Sequence, residues 1–242
     1  MTRKLKALGL ALVAVSAVSM VTASAASAQT GIFTSDGPAT LKGVNKAGSA
    51  ESANSITSFG LSVVCPNATY TGHKAEVTPH EKVPNSSSSV TITPNYGSCA
   101  AEGGGIKATV DMNGCDFMIH LTKTTGVADQ YAITTTIKCP TGKHIVVTLF
   151  TNATQHAENK AFCHVTITEK ASYEGLTQTD NTNNTFSLSG TIENVEADKE
   201  AIAGTTGDSG ILCPKETTKA GILHVDLTIS ETSGTSIKLS HL

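Results

Sequence analysis

Tryptophan is missing from this 242-residue sequence, and rings of any kind are scarce: four tyrosines and six phenylalanines. A core with so few rings must be built from Val, Ile and Leu. A carbohydrate site made of stacked aromatics has little to draw on. Arginine occurs once, at Arg3. Arginine supplies the forked donors that grip phosphates and guanine edges. Without it, and with an acidic balance, the sequence argues against nucleic acid and against anionic membrane surfaces as partners. No apolar run after residue 28 approaches the roughly 20 residues that a spanning helix needs. No two cysteines stand as C-x-x-C, which excludes the compact redox or zinc arrangement. Heptad repeats, βαβ alternation, G-x-S-x-G, H-E-x-x-H, calcium-loop and phosphate-loop patterns are also lacking. No cofactor is predicted.

What is present begins with an export signal. Arg3, Lys4 and Lys6 form a basic start, Ala7–Val21 is an apolar stretch shorter than a membrane span, and Ala26-Ser27-Ala28 fits a small-x-small cleavage rule. Residues 1–28 therefore read as a signal peptide, and 29–242 as one secreted β-domain. The glycine-rich stretch near 98–106 is the place where that domain would divide. No cysteine precedes Cys65, so the cleavage point offers no lipid attachment. Three of the 17 basic residues leave with the leader; the 14 that stay face 20 acidic ones, a net −6.

Six cysteines in an exported chain predict three disulfides. We expect sequential pairing: Cys65–Cys99, Cys115–Cys139 and Cys163–Cys213. The middle bridge follows from hairpin geometry. In 115–121, Cys115, Phe117, Ile119 and Leu121 share one parity, and in 131–139 Tyr131, Ile133, Ile137 and Cys139 do the same. Period-two alternation marks half-buried strands. If the connecting turn centres near Gly126, the two cysteines lie nearly opposite. The outer pairs have no such geometric support.

The same alternation recurs along the chain. Ser58–Cys65 reads as one strand with Phe59, Leu61, Val63 and Cys65 inward. Pro66-Asn67 and Gly72 read as turn, and 73–89 as loop. Leu41 and Val44 are the expected buried points before residue 54. Val90–Pro94, Lys107–Met112, His144–Phe150, Phe162–Thr168, 186–192 and 222–230 read as further strands. At Asn113-Gly114 the inward parity changes from even to odd, which predicts a β-bulge or a tight hairpin. Thr177–Asn184 reads as a polar turn, and Glu193–Ala203 as a short helix ending at Gly204. About ten short strands predict an all-β, disulfide-stapled antiparallel sandwich or jelly roll.

The order of a strand-ending cysteine, then Pro94-x-Tyr96-x-x-Cys99, then Asn113-Gly114-Cys115-x-Phe117 resembles small secreted, disulfide-containing proteins of soil actinobacteria. The resemblance extends over most of the mature chain. It implies an exported bacterial protein and brings no activity and no catalytic residues with it.

Two pairs carry side chains suited to chemistry. Asp116 and His120 share the outer face of one strand, about 13 Å apart by strand rise. His224 and Asp226 are two apart on another face, a spacing that could share a metal with a third ligand. His73 and His80 lie in the proline-rich segment. Solvated surface side chains account for all of these. The function reading is an exported non-enzymatic binding or structural protein of the cell envelope or medium, its partner an envelope glycan or protein. The alternatives are a secreted hydrolase with a loop-built site and a surface metal-binding protein. Peptide mapping without reductant tests the cysteine pairing: no free thiol is expected, and Cys115 and Cys139 in separate bridges would overturn the hairpin staple.

Overall fold

The computed structural model describes residues 31–35, 40–45, 54–74, 86–87, 89–102, 105–127, 130–151, 161–180, 185–202, 213–232 and 237–241. Among these the regular structure is β throughout. The strands are β1 (Gly31–Ser35), β2 (Thr40–Asn45), β3 (Asn54–Ser58), β4 (Leu61–Val64), β5 (Asn67–Lys74), β6 (Ser86–Ser87), β7 (Ser89–Gly97), β8 (Ala100–Ala101) and β9 (Lys107–Asp111). They continue as β10 (Asp116–Thr124), β11 (Gln130–Lys138), β12 (Ile145–Phe150), β13 (Ala161–Ile167), β14 (Lys170–Asp180), β15 (Thr185–Ala201), β16 (Glu216–Glu231) and β17 (Ile237–His241).

Fourteen of these strands close into a ring, in the order β10-β11-β14-β15-β13-β12-β9-β8-β4-β3-β16-β2-β5-β7. Every pairing in it is antiparallel. One further pairing, β15 with β16, runs across the ring. It divides the ring into two closed eight-stranded circuits that share these two strands. The first circuit is β10-β11-β14-β15-β16-β2-β5-β7, and the second is β15-β13-β12-β9-β8-β4-β3-β16. Closure removes the free edges that would template aggregation. Stacked layers and a closed sheet place side chains with the same period of two, so alternation alone does not separate a sandwich from this arrangement.

The buried side chains of both circuits form a single contiguous core. A three-stranded sheet, β17-β1-β6, lies apart from the ring. It packs on the first circuit through Phe33, whose ring lies 5.9 Å from that of Phe186.

The chain visits the circuits alternately. β2 belongs to the first, β3 and β4 to the second, β5 and β7 to the first, β8 and β9 to the second. The alternation continues with β10 and β11, then β12 and β13, then β14, before the shared hairpin. Each circuit therefore takes strands from both sides of residues 98–106.

The disulfides are Cys65–Cys99, Cys115–Cys139 and Cys163–Cys213. Cys115–Cys139 continues the β10–β11 register, in which Asp116 faces Lys138 and Phe117 faces Ile137. Cys65–Cys99 joins the chain after β4 to the chain after β7, across the two circuits. Cys163–Cys213 ties β13 to the approach to β16. Closing loops of 24 to 50 residues, each contributes roughly 3–4 kcal/mol in the chain-entropy view.

Several segments differ from the sequence reading. Ser58–Cys65 is not one strand. Phe59 and Gly60, with φ of +53° and +73°, turn the chain between β3 and β4. Pro66 turns the chain, but Asn67 and Gly72 lie on β5. Val44 faces outward and is 48% exposed, while Leu41 is buried. Asn113 and Gly114 both have positive φ, and the Cys115 amide donates to the Met112 carbonyl at 2.7 Å. That is a type I′ turn, yet no hairpin forms. β9 pairs with β8 and β12, while β10 pairs with β7 and β11, so the turn passes the chain from one circuit to the other.

Thr177–Asp180 extends β14 and buries Gln178. Glu193–Ala201 is strand, not helix. Pairing on both sides, with β13 and β16, supplies every-other-residue burial that local helix propensity cannot match. Residues 203–210 lie outside the described set.

Two glycines mark where backbones touch. A Cβ on Gly175 of β14 would stand 2.0 Å from the Thr191 carbonyl oxygen, and one on Gly190 of β15 2.3 Å from that of Gly175. Both have φ in the left-handed half, +111° and +138°. Gly175→Ala is expected to destabilise by about 2–4 kcal/mol in urea unfolding, through strain and displacement together. Gly126→Ala, in open space at a turn, is expected to cost about 1 kcal/mol.

Candidate functional site

The circuits are filled differently. Inside the first, Tyr70, Ile92, Tyr96, Phe117, Ile119 and Leu188 converge with their neighbours and leave only about 10 Å³. That admits one water at most. The Thr135 hydroxyl borders this space and has no hydrogen-bond partner among the described residues. Nearby, the Tyr70 hydroxyl donates to Asn54 Oδ1 at 2.6 Å, and Asn54 Nδ2 donates to Asn45 Oδ1 at 2.7 Å. This chain of polar groups ties β5, β3 and β2 together. The Tyr70 and Tyr96 rings meet edge to face at 6.3 Å. Burial pushes both hydroxyls far above the ordinary tyrosine value.

The second circuit opens onto a pocket of about 480 Å³. This lies within the range of small-molecule sites. Its walls come from the β3–β4 turn, the residues just before β9, the end of β12, β13 and the second half of β15. Leu61, Ile106, Leu149, Phe162 and Val165 make it mainly apolar. Ser58, Thr151 and Lys199 supply its polar side chains among the described residues. Cys163 also lines it, so the Cys163–Cys213 bridge fixes one wall.

Two features of the wall go against local preference. The first is Lys199. In the second half of β15, Val195 and Ala197 are buried, while Asp198 and Glu200 are exposed. Lys199 stands on the buried parity, directly opposite Val165 of β13. Its side chain is only 14% exposed. The ammonium lies 3.1 Å from Glu216 Oε2 and 4.6 Å from the centre of the Phe59 ring. That ring placement is a cation–π contact.

The second feature is Phe59 itself. It occupies the first central position of a turn with φ of +53°. Asn or Gly is preferred there, and a bulky residue in that region is strained by about 1–3 kcal/mol. What the strain achieves is visible: it holds a ring at the pocket wall beneath the ammonium.

The sequence-derived candidates lie elsewhere. Asp116 Oδ1 accepts from Thr93 Oγ1 at 2.5 Å, on the neighbouring β7, and is not joined to His120. His120 is partly buried, and that burial lowers its imidazole pKa below 6.5. His224 Nδ1 lies 3.2 Å from Thr191 Oγ1, across the β15–β16 hairpin. Asp226 follows on β16, opposite Ser189. Among the described residues no group of three His, Cys, Asp or Glu side chains is placed to hold a metal. His73, next to last in β5, lies opposite Thr40 and Thr91, and His80 lies outside the described residues. Lys199 was hidden by the helical reading of its segment. The signal was the alternation Val195, Ala197, Ala201 against Glu196, Asp198, Glu200, with one lysine breaking the apolar parity.

No protein family, curated protein or solved structure matches this chain. Among the described residues no helix is long and apolar enough to cross a membrane. The three disulfides fit an oxidising environment.

Titration checks this account of the buried groups. Tyr173, raised to about 12 by burial and by the Glu196 carboxylate, is expected to ionise before Tyr70 and Tyr96 in an alkaline absorbance titration. His120 has a depressed folded value, so its contribution to stability is complete above pH 6.5 and is lost as pH falls through the folded pKa. His120→Gln is therefore expected to reduce the loss of stability between about pH 7 and about pH 5, read by urea midpoints.

Proposed function

We propose that this chain is an exported, non-enzymatic binding protein that holds a small apolar molecule in the open mouth of its second circuit. The observation that carries this reading is Phe59. A large ring kept in a conformation that suits asparagine or glycine is a cost to the fold, and such costs concentrate where they serve a site. The pocket beside it has the size and the apolar lining of a ligand site, with a few polar groups to orient what enters.

Among the described residues the pocket's polar set is a lysine and two hydroxyls. A hydrolase would need histidine and carboxylate groups converging on the cavity, and the wall offers a cation and hydrogen-bond donors instead. A glycan site would draw on flat stacked rings, and the pocket's apolar side chains are mostly aliphatic. Export belongs to the same proposal. The basic-then-apolar leader over residues 1–28, the three disulfides and the resemblance to secreted actinobacterial proteins support it together.

An uncharged fluorescent probe, N-phenyl-1-naphthylamine, tests the reading on the oxidised protein. A saturable rise in emission at one probe per chain is expected. Phe59→Asn is expected to weaken binding roughly fivefold or more through the loss of one ring's buried area. Its melting temperature should hold or rise, because asparagine suits the turn. Absence of saturable binding by the folded, disulfide-intact protein would end the proposal.

A further inference from the structure

Lys199 says more about the occupant than the apolar walls do. A lysine that needed only a carboxylate partner had an exposed position available on the same hairpin. Lys219 and Glu196 pair that way at 3.8 Å, with the lysine side chain 80% exposed. Lys199 instead enters the wall between Ala197 and Ala201, with Val165 opposite and the Phe59 ring beneath.

Its partner Glu216 stands at the outer end of the contact, 54% exposed. A pair with one half in water is worth little, so it does not account for drawing a cation inward. An ammonium has three donors, and Glu216 Oε2 takes one. The pocket side of Nζ is lined mainly by apolar side chains, beside which a charge-assisted hydrogen bond is stronger than in open water.

We infer that the second-circuit pocket takes an aliphatic molecule with a single carboxylate, its chain against Leu149, Phe162 and Val165 and its head on the Lys199 ammonium. This rests on the apolar-ligand reading above and narrows it. The charge complementarity is specific: one cation, no acidic side chain and a largely aliphatic surface line the described wall. A cationic amphiphile would meet like charge, and a neutral alcohol would offer the ammonium only an uncharged acceptor. Within the pocket's volume, each added methylene should tighten binding roughly fourfold until the chain outgrows the cavity.

Calorimetry with decanoate, 1-decanol and decyltrimethylammonium, on the whole oxidised protein, tests the inference. Decanoate is expected to bind roughly tenfold or more tightly than decanol, as a hydrogen bond to a charged group implies. Decyltrimethylammonium should bind most weakly. Lys199→Met, which keeps the stem and removes the charge, should erase the preference and leave decanol within about threefold of its original affinity. Glu216→Gln frees the ammonium from its competitor at a half-exposed site. It should tighten decanoate by a few fold and leave decanol unchanged, which keeps the test available if the Lys199 variant does not fold. Equal affinity for decanoate and decanol in the unaltered protein would overturn the carboxylate inference and leave the apolar site standing. So would a decanoate preference that survives Lys199→Met. Failure of all three amphiphiles to bind would remove both.

Discussion

The pairing of β15 with β16 is the constraint on which both closed circuits depend. Twelve residue pairs join the two strands, from Thr185–Ser230 at one end to Lys199–Glu216 at the other. Its first half completes one wall and its second half the other. A single regular strand could not serve both, because the buried parity has to change between them. Asn194, with φ of +60°, makes that change. Before it the buried residues are Phe186, Leu188 and Ile192; after it they are Val195 and Ala197. An irregularity of this kind re-aims side chains at the point where the sheet changes task. Around it the backbones run close. Gly175 and Gly190 lie against each other, and Gly221 lies against Val195. Side chains there would push the shared strands apart.

Much of the strand content was legible from alternation. The β10–β11 hairpin, its inward parity and its disulfide follow from the sequence because hairpin partners are close in the chain and their register is fixed by one turn. Ring closure was not legible. It depends on pairs such as β2 with β16, whose residues stand more than 180 apart, and period-two patterning is silent about which strand lies next. The tight turns also misled in a consistent way. Phe59 looked like an inward strand residue because the hydrophobic parity runs through it, and Asn113-Gly114 carried a hairpin signature although the strands on either side part company. Glu193–Ala201 looked helical because Glu, Ala and Lys favour helices locally; two flanking strands overrode that preference.

The candidate site was hidden for the same reason. None of its described residues belongs to a recognisable catalytic pattern, and the one charged member among them sat in the misread segment. The two circuits also differ in what fills them, and that difference is written in side-chain size. Tyr70, Tyr96 and Phe117 cross the first interior. Ala108, Ala197 and Ala201 are among the inward positions of the second. A chain poor in rings has placed most of its large ones where they complete a packed interior. Phe59 and Phe162 stand apart from them at the cavity.

The alternation of the chain between circuits bears on how the protein is made. Strands β2, β3, β13 and β14 each wait for a partner that belongs to β15 or β16, the last two strands of the ring to emerge from the ribosome. Until then neither cylinder is shut, and four bare edges face the surroundings. Such a chain gains little by settling early. Its two cylinders take shape together, when the shared pair of strands forms.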